Sequence, residues 1–256
     1  MILAPRNREL ILFKTYANLN SEASRTYLSF LWWIIDPVLT MLVFYIVFGV
    51  LLQRGTKDYV PFLLIGLTIW QWFANTINHG KSSILENRRL MEQVHLQKAI
   101  FPSIIILMDL FKFLIVFALI IVFLWIYGFG VNITYLALPA LILVQFLLIS
   151  AFTYFLAAIV PFIPDLKFLI PTLIQLVFFL TGIFFPSSSI SEENKFYFYL
   201  NPMANLIEDY RNVLMYGLWP DWYTLGLIGT VSLVCIFFSL KLINRYDYIY
   251  PRIEIQ

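Results

Sequence analysis

Six apolar runs dominate the chain, at about residues 31–52, 59–77, 103–127, 135–160, 168–186 and 222–240. Each has about the 17–25 residues that a helix needs to cross a hydrocarbon layer ~30 Å thick. Nothing in that layer hydrogen-bonds an unpaired backbone amide, so spanning segments are helices or closed barrel strands. The period-two alternation of barrel strands is absent. The sequence therefore predicts an all-α integral membrane protein with six transmembrane helices in one transmembrane domain. Composition agrees: 61% of residues are hydrophobic and 12% charged, against about half and about a quarter in soluble domains.

A net charge of +2 offers no field for nucleic acid. The one cysteine, Cys235, lies in an apolar run and excludes an intramolecular disulfide. MILAPRNRELILFK lacks the unbroken apolar stretch of a cleavable signal, so no cleavage is expected. Basic residues set the orientation. Arg6, Arg8, Lys14 and Arg25 precede the first run, and Lys81, Arg88, Arg89 and Lys98 follow the second. Lys167 follows the fourth, and Lys241, Arg245 and Arg252 follow the sixth. The opposite side has only Arg54, Lys57, Lys195 and Arg211. The positive-inside bias puts both termini in the cytoplasm.

Three segments outside the runs carry pattern. Residues 7–26 read as a helix lying in the cytoplasmic interface, with Leu10, Phe13 and Ala17 on one face and Leu12, Tyr16 and Leu19 beside it. In the loop 78–102, Glu86 and Arg89 flank an apolar cluster of Leu90, Met91 and Val94. That is either a short helix able to dock on a partner or a solvated loop, and Phe101-Pro102 starts the next span. In NPMANLIEDYRNVLMYG, residues 201–217, Asn201 is placed to cap a helix with Pro202 at its first position and Gly217 to end it. Met203, Leu206, Ile207, Tyr210, Val213 and Leu214 make its apolar face, and Glu208, Asp209 and Arg211 its charged one. Its ~15 residues cover about 22 Å, too short to span. Upstream, Ser189-x-x-Glu192 resembles a capping box opening a second short helix that ends near Leu200. This external pair either dips back to close a pathway or anchors in the interface.

Polar side chains within the runs need partners. Thr68, Gln71, Asn75 and Asn78 form one stripe of the second run, and Thr172, Gln175, Phe179 and Gly182 repeat the spacing in the fifth. Such stripes face protein or water, as interhelical bonds or as pore lining. Trp33, Pro37, Thr40, Phe44 and Phe48 share a face of the first run, suited to packing or to sugar rings sliding over aromatic faces. Asp109 and Lys112 read as a mutually satisfied pair, about 9 Å inside the third run. No acid lies near a midplane, which argues against a proton-driven carrier. His79 and His95 fall in the loop region without metal-spaced partners, and G-x-x-x-x-G-K-[ST], G-x-S-x-G and H-E-x-x-H are all absent. No catalytic residue, metal or cofactor is expected in this chain.

Three stretches, in order, carry a resemblance. SFLWWIIDPVLTMLVFYIVFGVLL (29–52), with Trp32, Trp33, Asp36-Pro37 and Phe48-Gly49, is similar to the first span of polysaccharide-exporting ABC transporter permeases. VHLQKAIFP (94–102) resembles their cytosolic segment leading to Phe-Pro, and NPMANLIEDYR (201–211) their Asn-Pro…Arg external segment. The resemblance implies a homodimer in the inner membrane, working with two copies of a cytosolic ATPase that binds ATP and Mg. It implies export of a lipid-linked polysaccharide, O-antigen most closely, with capsule or teichoic acid as alternatives. A membrane-bound sugar transferase is the rival from another class. It further implies a coupling helix over 84–97 using Glu86, Arg88, Arg89, Leu90, Met91 and Val94, and external gate helices over 187–217. Trp33, Thr40, Phe44, Tyr45, Phe48, Thr172, Gln175 and Phe179 would line the conduit. Arg25, Trp32 and Asp36 would form the entrance, and Asn201, Pro202, Glu208, Asp209 and Arg211 the gate.

Overall fold

The computed structural model describes residues 5–24, 31–51, 58–93 and 96–252, and these contain helices and turns but no strand. The helices are α1 (Pro5–Ser24), α2 (Trp32–Phe44), α3 (Tyr59–Gly80), α4 (Ser83–Glu86), α5 (Arg88–Gln93), α6 (Ile100–Tyr127), α7 (Leu138–Ile159), α8 (Leu166–Phe179), α9 (Glu192–Tyr199), α10 (Pro202–Arg211) and α11 (Trp222–Arg245). A π-helical turn, Tyr45–Leu51, continues α2, and another, Asn212–Tyr216, continues α10. Among the described residues, four helices are long and apolar enough to cross a membrane: α3, α6, α7 with its leading turn (Ile133–Ile159), and α11.

α3 is the least apolar of the four and the most buried. Lipid is as apolar as Leu, so apolarity does not draw a helix inward; polar and small side chains do, because only other helices answer them. α3 accordingly packs against α6, α7, α8 and α10. Gln145 of α7 donates to the Ile69 carbonyl of α3 at 2.9 Å, inside this contact. α7 and α11 pack along their length through Ala151, Ala157, Ala158, Ser232 and Ser239. Ser232 and Ser239 turn their hydroxyls back onto the Ile228 and Cys235 carbonyls, which hides them from the apolar contact.

α1 lies against α6, burying Ile11, Thr15 and Leu19 over Ile100, Ile104 and Met108. Those positions recur every four residues, as one helical face requires. The face expected from Phe13 is therefore turned outward: Leu12, Phe13 and Tyr16 are exposed. Further differences follow from local bonds. The helix expected over 84–97 is broken at Asn87, whose amide donates to the Ser83 carbonyl at 2.8 Å, leaving α4 and α5. Ser191, not Ser189, precedes α9. α3 runs on to Gly80, so His79 belongs to a helix rather than a loop. α8 has only 14 residues with Pro171 inside it, about 21 Å of helix, and the chain leaves it through Gly182 at φ 69°.

At Gly80, α3 meets α7. A Cβ there would collide with the Cγ2 of Thr153, which is fully buried. Gly80→Ala should lower the stability of the purified chain by about 1–3 kcal/mol through overpacking, read from thermal unfolding in detergent. Adding Thr153→Ala should recover most of that loss, and a double variant no more stable than Gly80→Ala would refute the contact.

Candidate functional site

Two polar centres stand at opposite ends of α3, a partly open one and a buried one. The first is a cavity of about 350 Å³ between α2, α3 and α6. Trp32, Trp33, Trp72 and Phe113 wall it, with Trp72 stacked on Phe113 at 4.0 Å between ring centres. Thr68, Gln71 and Asn75 reach it from α3, each about one turn from the last, and none hydrogen-bonds a described residue. Asn78, the fourth member of that stripe, accepts from Lys81 at 2.7 Å. The floor is ionic. His79 Nδ1 lies 2.9 Å from Asp109 Oδ2, and Lys112 donates to both carboxylate oxygens of Glu22 at 2.7 and 2.8 Å. The expected Asp109–Lys112 pair is a looser contact of 3.8 Å, because each charge has a nearer partner on another helix. Lys112 also lies 5.4 Å from the centre of the Trp33 ring, within cation–π reach. This cluster ties α1 to α6 and α6 to α3.

The second centre is Arg211. The sequence places it on the charged face of α10, yet it is only 5% exposed. Among the described residues no carboxylate pairs with it. Its three nitrogens donate to backbone carbonyls instead: Nε to Phe62 at 3.2 Å, Nη1 to Gly182 at 2.8 Å and Nη2 to Ile183 at 3.0 Å. The guanidinium also stacks on the Phe62 ring, 3.3 Å from its centre. Burial lowers the Arg211 pKa to about 9, which leaves it charged at neutral pH. Gly66 leaves the space: a Cβ there would stand 2.6 Å from Nη2. Asp209 is buried too and accepts the Asp221 amide at 3.1 Å, linking α10 to the start of α11. Asn201 caps α10 by accepting from the Met203 amide at 3.0 Å, with Pro202 behind it. Glu208 accepts from Ser187 at 2.7 Å.

The tail after α11 returns to α4 and α5. Tyr250 is buried with Ile84, Met91 and Phe101, and its hydroxyl donates to the Ala158 carbonyl at 3.1 Å. Lys98, almost fully buried, reaches Asp247 at 3.5 Å. Arg88 donates to the Pro251 carbonyl at 3.1 Å and to Glu92 at 3.0 Å. Of the residues expected to couple, Met91 is buried in this cluster, Arg88 and Leu90 are half-buried, and Glu86 and Arg89 are exposed; Val94 lies outside the described residues, as does Arg25 of the expected entrance. The side chains of Asp36, Phe44, Tyr45 and Phe48 are likewise outside them. Trp32 and Trp33 join at the cavity, and Thr40 is half-buried farther along α2. Thr172, Gln175 and Phe179 lie apart, on the exposed face of α8, while Ile170, Ile174 and Phe178 turn toward the bundle. His79, Glu22 and Trp72 carried no pointer to a site, because their partners are remote in sequence. Among the described residues no group of His, Cys, Asp or Glu is placed to hold a metal ion.

Helices of this kind, with a polar centre at each end of the central one, define a polytopic membrane protein whose helices are joined by polar contacts. The chain belongs to the ABC-2 type transporter membrane family, which it matches over residues 15–215. It is 29% identical over 231 residues to an O-antigen export system permease protein of Myxococcus xanthus, covering 90% of this chain and 89% of that one. A Klebsiella pneumoniae protein of the same name is 26% identical over 91% of this chain and 92% of its own. The polysialic acid transport protein KpsM of Escherichia coli is 24% identical over 84% of each. The resemblance read from the three motifs is borne out at the level of the family.

Arg211→Met would strand two carbonyls outside regular helix and should cost about 3 kcal/mol of stability. Arg211→Lys should recover only part, since one ammonium cannot span three acceptors. Equal thermal midpoints for wild type and Arg211→Met would exclude the anchor. Asp209 gives a pH test. Burial raises its pKa from 3.8 to about 7. The folded chain therefore holds a proton that the unfolded chain has lost across that window, and stability falls as pH rises through it, then levels. Asp209→Asn should remove this slope, and a slope unchanged in that variant would refute the assignment.

Proposed function

We propose that this chain is the membrane subunit of an ATP-driven exporter of lipid-linked polysaccharide, of the O-antigen type, in the inner membrane. Near-full-length similarity to two permeases named for O-antigen export carries this reading. The similarity to a polysialic acid transport protein supports a capsule exporter as the second reading. The chain contains no P-loop sequence, so hydrolysis of ATP with Mg belongs to a separate cytosolic ATPase, two copies of which serve a homodimer.

In this arrangement the chain crosses six times, with α2 and α8, each with its following turn, as the first and fifth spans. Both termini lie in the cytoplasm. The exposed Leu12, Phe13 and Tyr16 of α1 rest in the inner interface, with Arg25, Trp32 and Asp36 near the entrance. α4 and α5 receive the ATPase stroke, and α9 and α10 gate the outer end. Thr172, Gln175 and Phe179 face the conduit across the dimer from Thr40, Phe44, Tyr45 and Phe48. The tail clasp through Tyr250 and Lys98 passes the stroke from α5 to α7 and α11.

Co-purification tests the partner, and surface glycan in a strain deleted for the chain and complemented with it tests the cargo. A P-loop ATPase should co-elute, and complementation should restore the glycan. Glu86→Ala with Arg89→Ala, both exposed, should reduce surface glycan about tenfold at unchanged chain level. Turnover of a sugar donor by the isolated chain would establish the transferase instead.

A further inference from the structure

We propose that the cavity between α2, α3 and α6 of a single chain binds a neutral sugar ring of the exported polymer; the ligand class rests on the function proposed above. Three polar side chains of one membrane helix, Thr68, Gln71 and Asn75, point into this space without a bond to any described residue. Thr68 is buried, Gln71 half-buried and Asn75 at the open side, and polar groups so placed are costly in an apolar surrounding unless water or a ligand answers them. The walls supply the complementary chemistry. Three of the chain's seven tryptophans, Trp32, Trp33 and Trp72, meet here. The apolar C–H face of a pyranose packs on such rings while its hydroxyl edge bonds to amides.

The charges select a neutral ligand over a phosphate. Lys112 is already engaged by Glu22 and Asp109, and His79 by Asp109. No cation on the floor is left without a carboxylate, so an anion meets as much negative charge as positive. The volume of about 350 Å³ is at the small end of the ~300–1,000 Å³ range of small-molecule sites. It suits a short stretch of glycan and not a coil. Trp72, held against Phe113, is rigid, so the wall needs no reordering on binding.

The test uses the full complex with its ATPase in nanodiscs. Tryptophan fluorescence is titrated with fragments of the exported polymer freed from lipid by mild acid, and separately with inorganic pyrophosphate. Wild type should respond saturably to the fragments and not to pyrophosphate. Gln71→Ala with Asn75→Ala should weaken fragment binding by about tenfold or more, and lower surface glycan in cells, with its thermal midpoint unchanged because neither side chain bonds to the bundle. No saturable response in wild type, equal affinity in the double variant, or a pyrophosphate response in place of the glycan one overturns the proposal. If wild type restores surface glycan and the double variant does so equally, the cavity assignment fails and the exporter stands. If wild type restores none, the exporter itself fails.

Discussion

A guanidinium held by three carbonyls sets the limits for the rest of the fold. α8 is too short to cross a bilayer as helix, and the chain beyond it turns through Gly182 with its peptide groups outside any ladder. In an apolar surrounding each such carbonyl needs a donor. Arg211 supplies two of them, at Gly182 and Ile183, and a third at Phe62 in the first turn of α3. One residue thus closes the end of α8, seats α10 in the bundle and fixes both to α3. A lysine has neither the reach nor the fork for this, and Gly66 is the concession α3 makes to it.

The other end of α3 follows the same rule with opposite means. There the polar groups are side chains, and they satisfy one another in sequence: Glu22 to Lys112, Lys112 to Asp109, Asp109 to His79. Four charges or partial charges from three helices share one site. Asp109, the most buried member, would be expensive to bury as a lone ion, and the row lowers that cost because each member is hydrogen-bonded. α1 needs this tether, since its apolar contact with α6 is one narrow face.

Much of this was legible in the sequence, and the failures are specific. α3, α6, α7 and α11 coincide with long apolar runs because length and apolarity together admit little else. Asn201, Pro202 and Gly217 mark the ends of α10 and its following turn, since capping and positive φ are local properties. Its six apolar positions are at least mostly buried as their periodicity implies. The burial of Asp209 and Arg211 was not legible, because periodicity finds the apolar face and assumes water on the other. α10 is covered by α3, α7 and α11 on more than one side. His79 was misplaced for a related reason: apolarity stops at Ile77, but the helix continues where Gly80 meets α7. The contact of α1 with α6 through Ile11, Thr15 and Leu19 was not legible, because the exposed side of α1 is as apolar as its buried one.

With a polar anchor at each end, α3 has little freedom to tilt without breaking one of them. α2 and α8 differ from it. α2 loses regular geometry at the π-helical turn from Tyr45, and α8 carries Pro171 and shows most of its surface. Both are short. Apolar contacts slide at small cost, whereas a buried ion that loses its partner costs several kcal/mol. Displacing α2 or α8 would therefore break fewer of the polar contacts among the described residues than displacing α3. The polar cavity lies between α2 and α3, walled by Trp32 and Trp33 of the one and Trp72 of the other, so a shift of α2 would change its width directly.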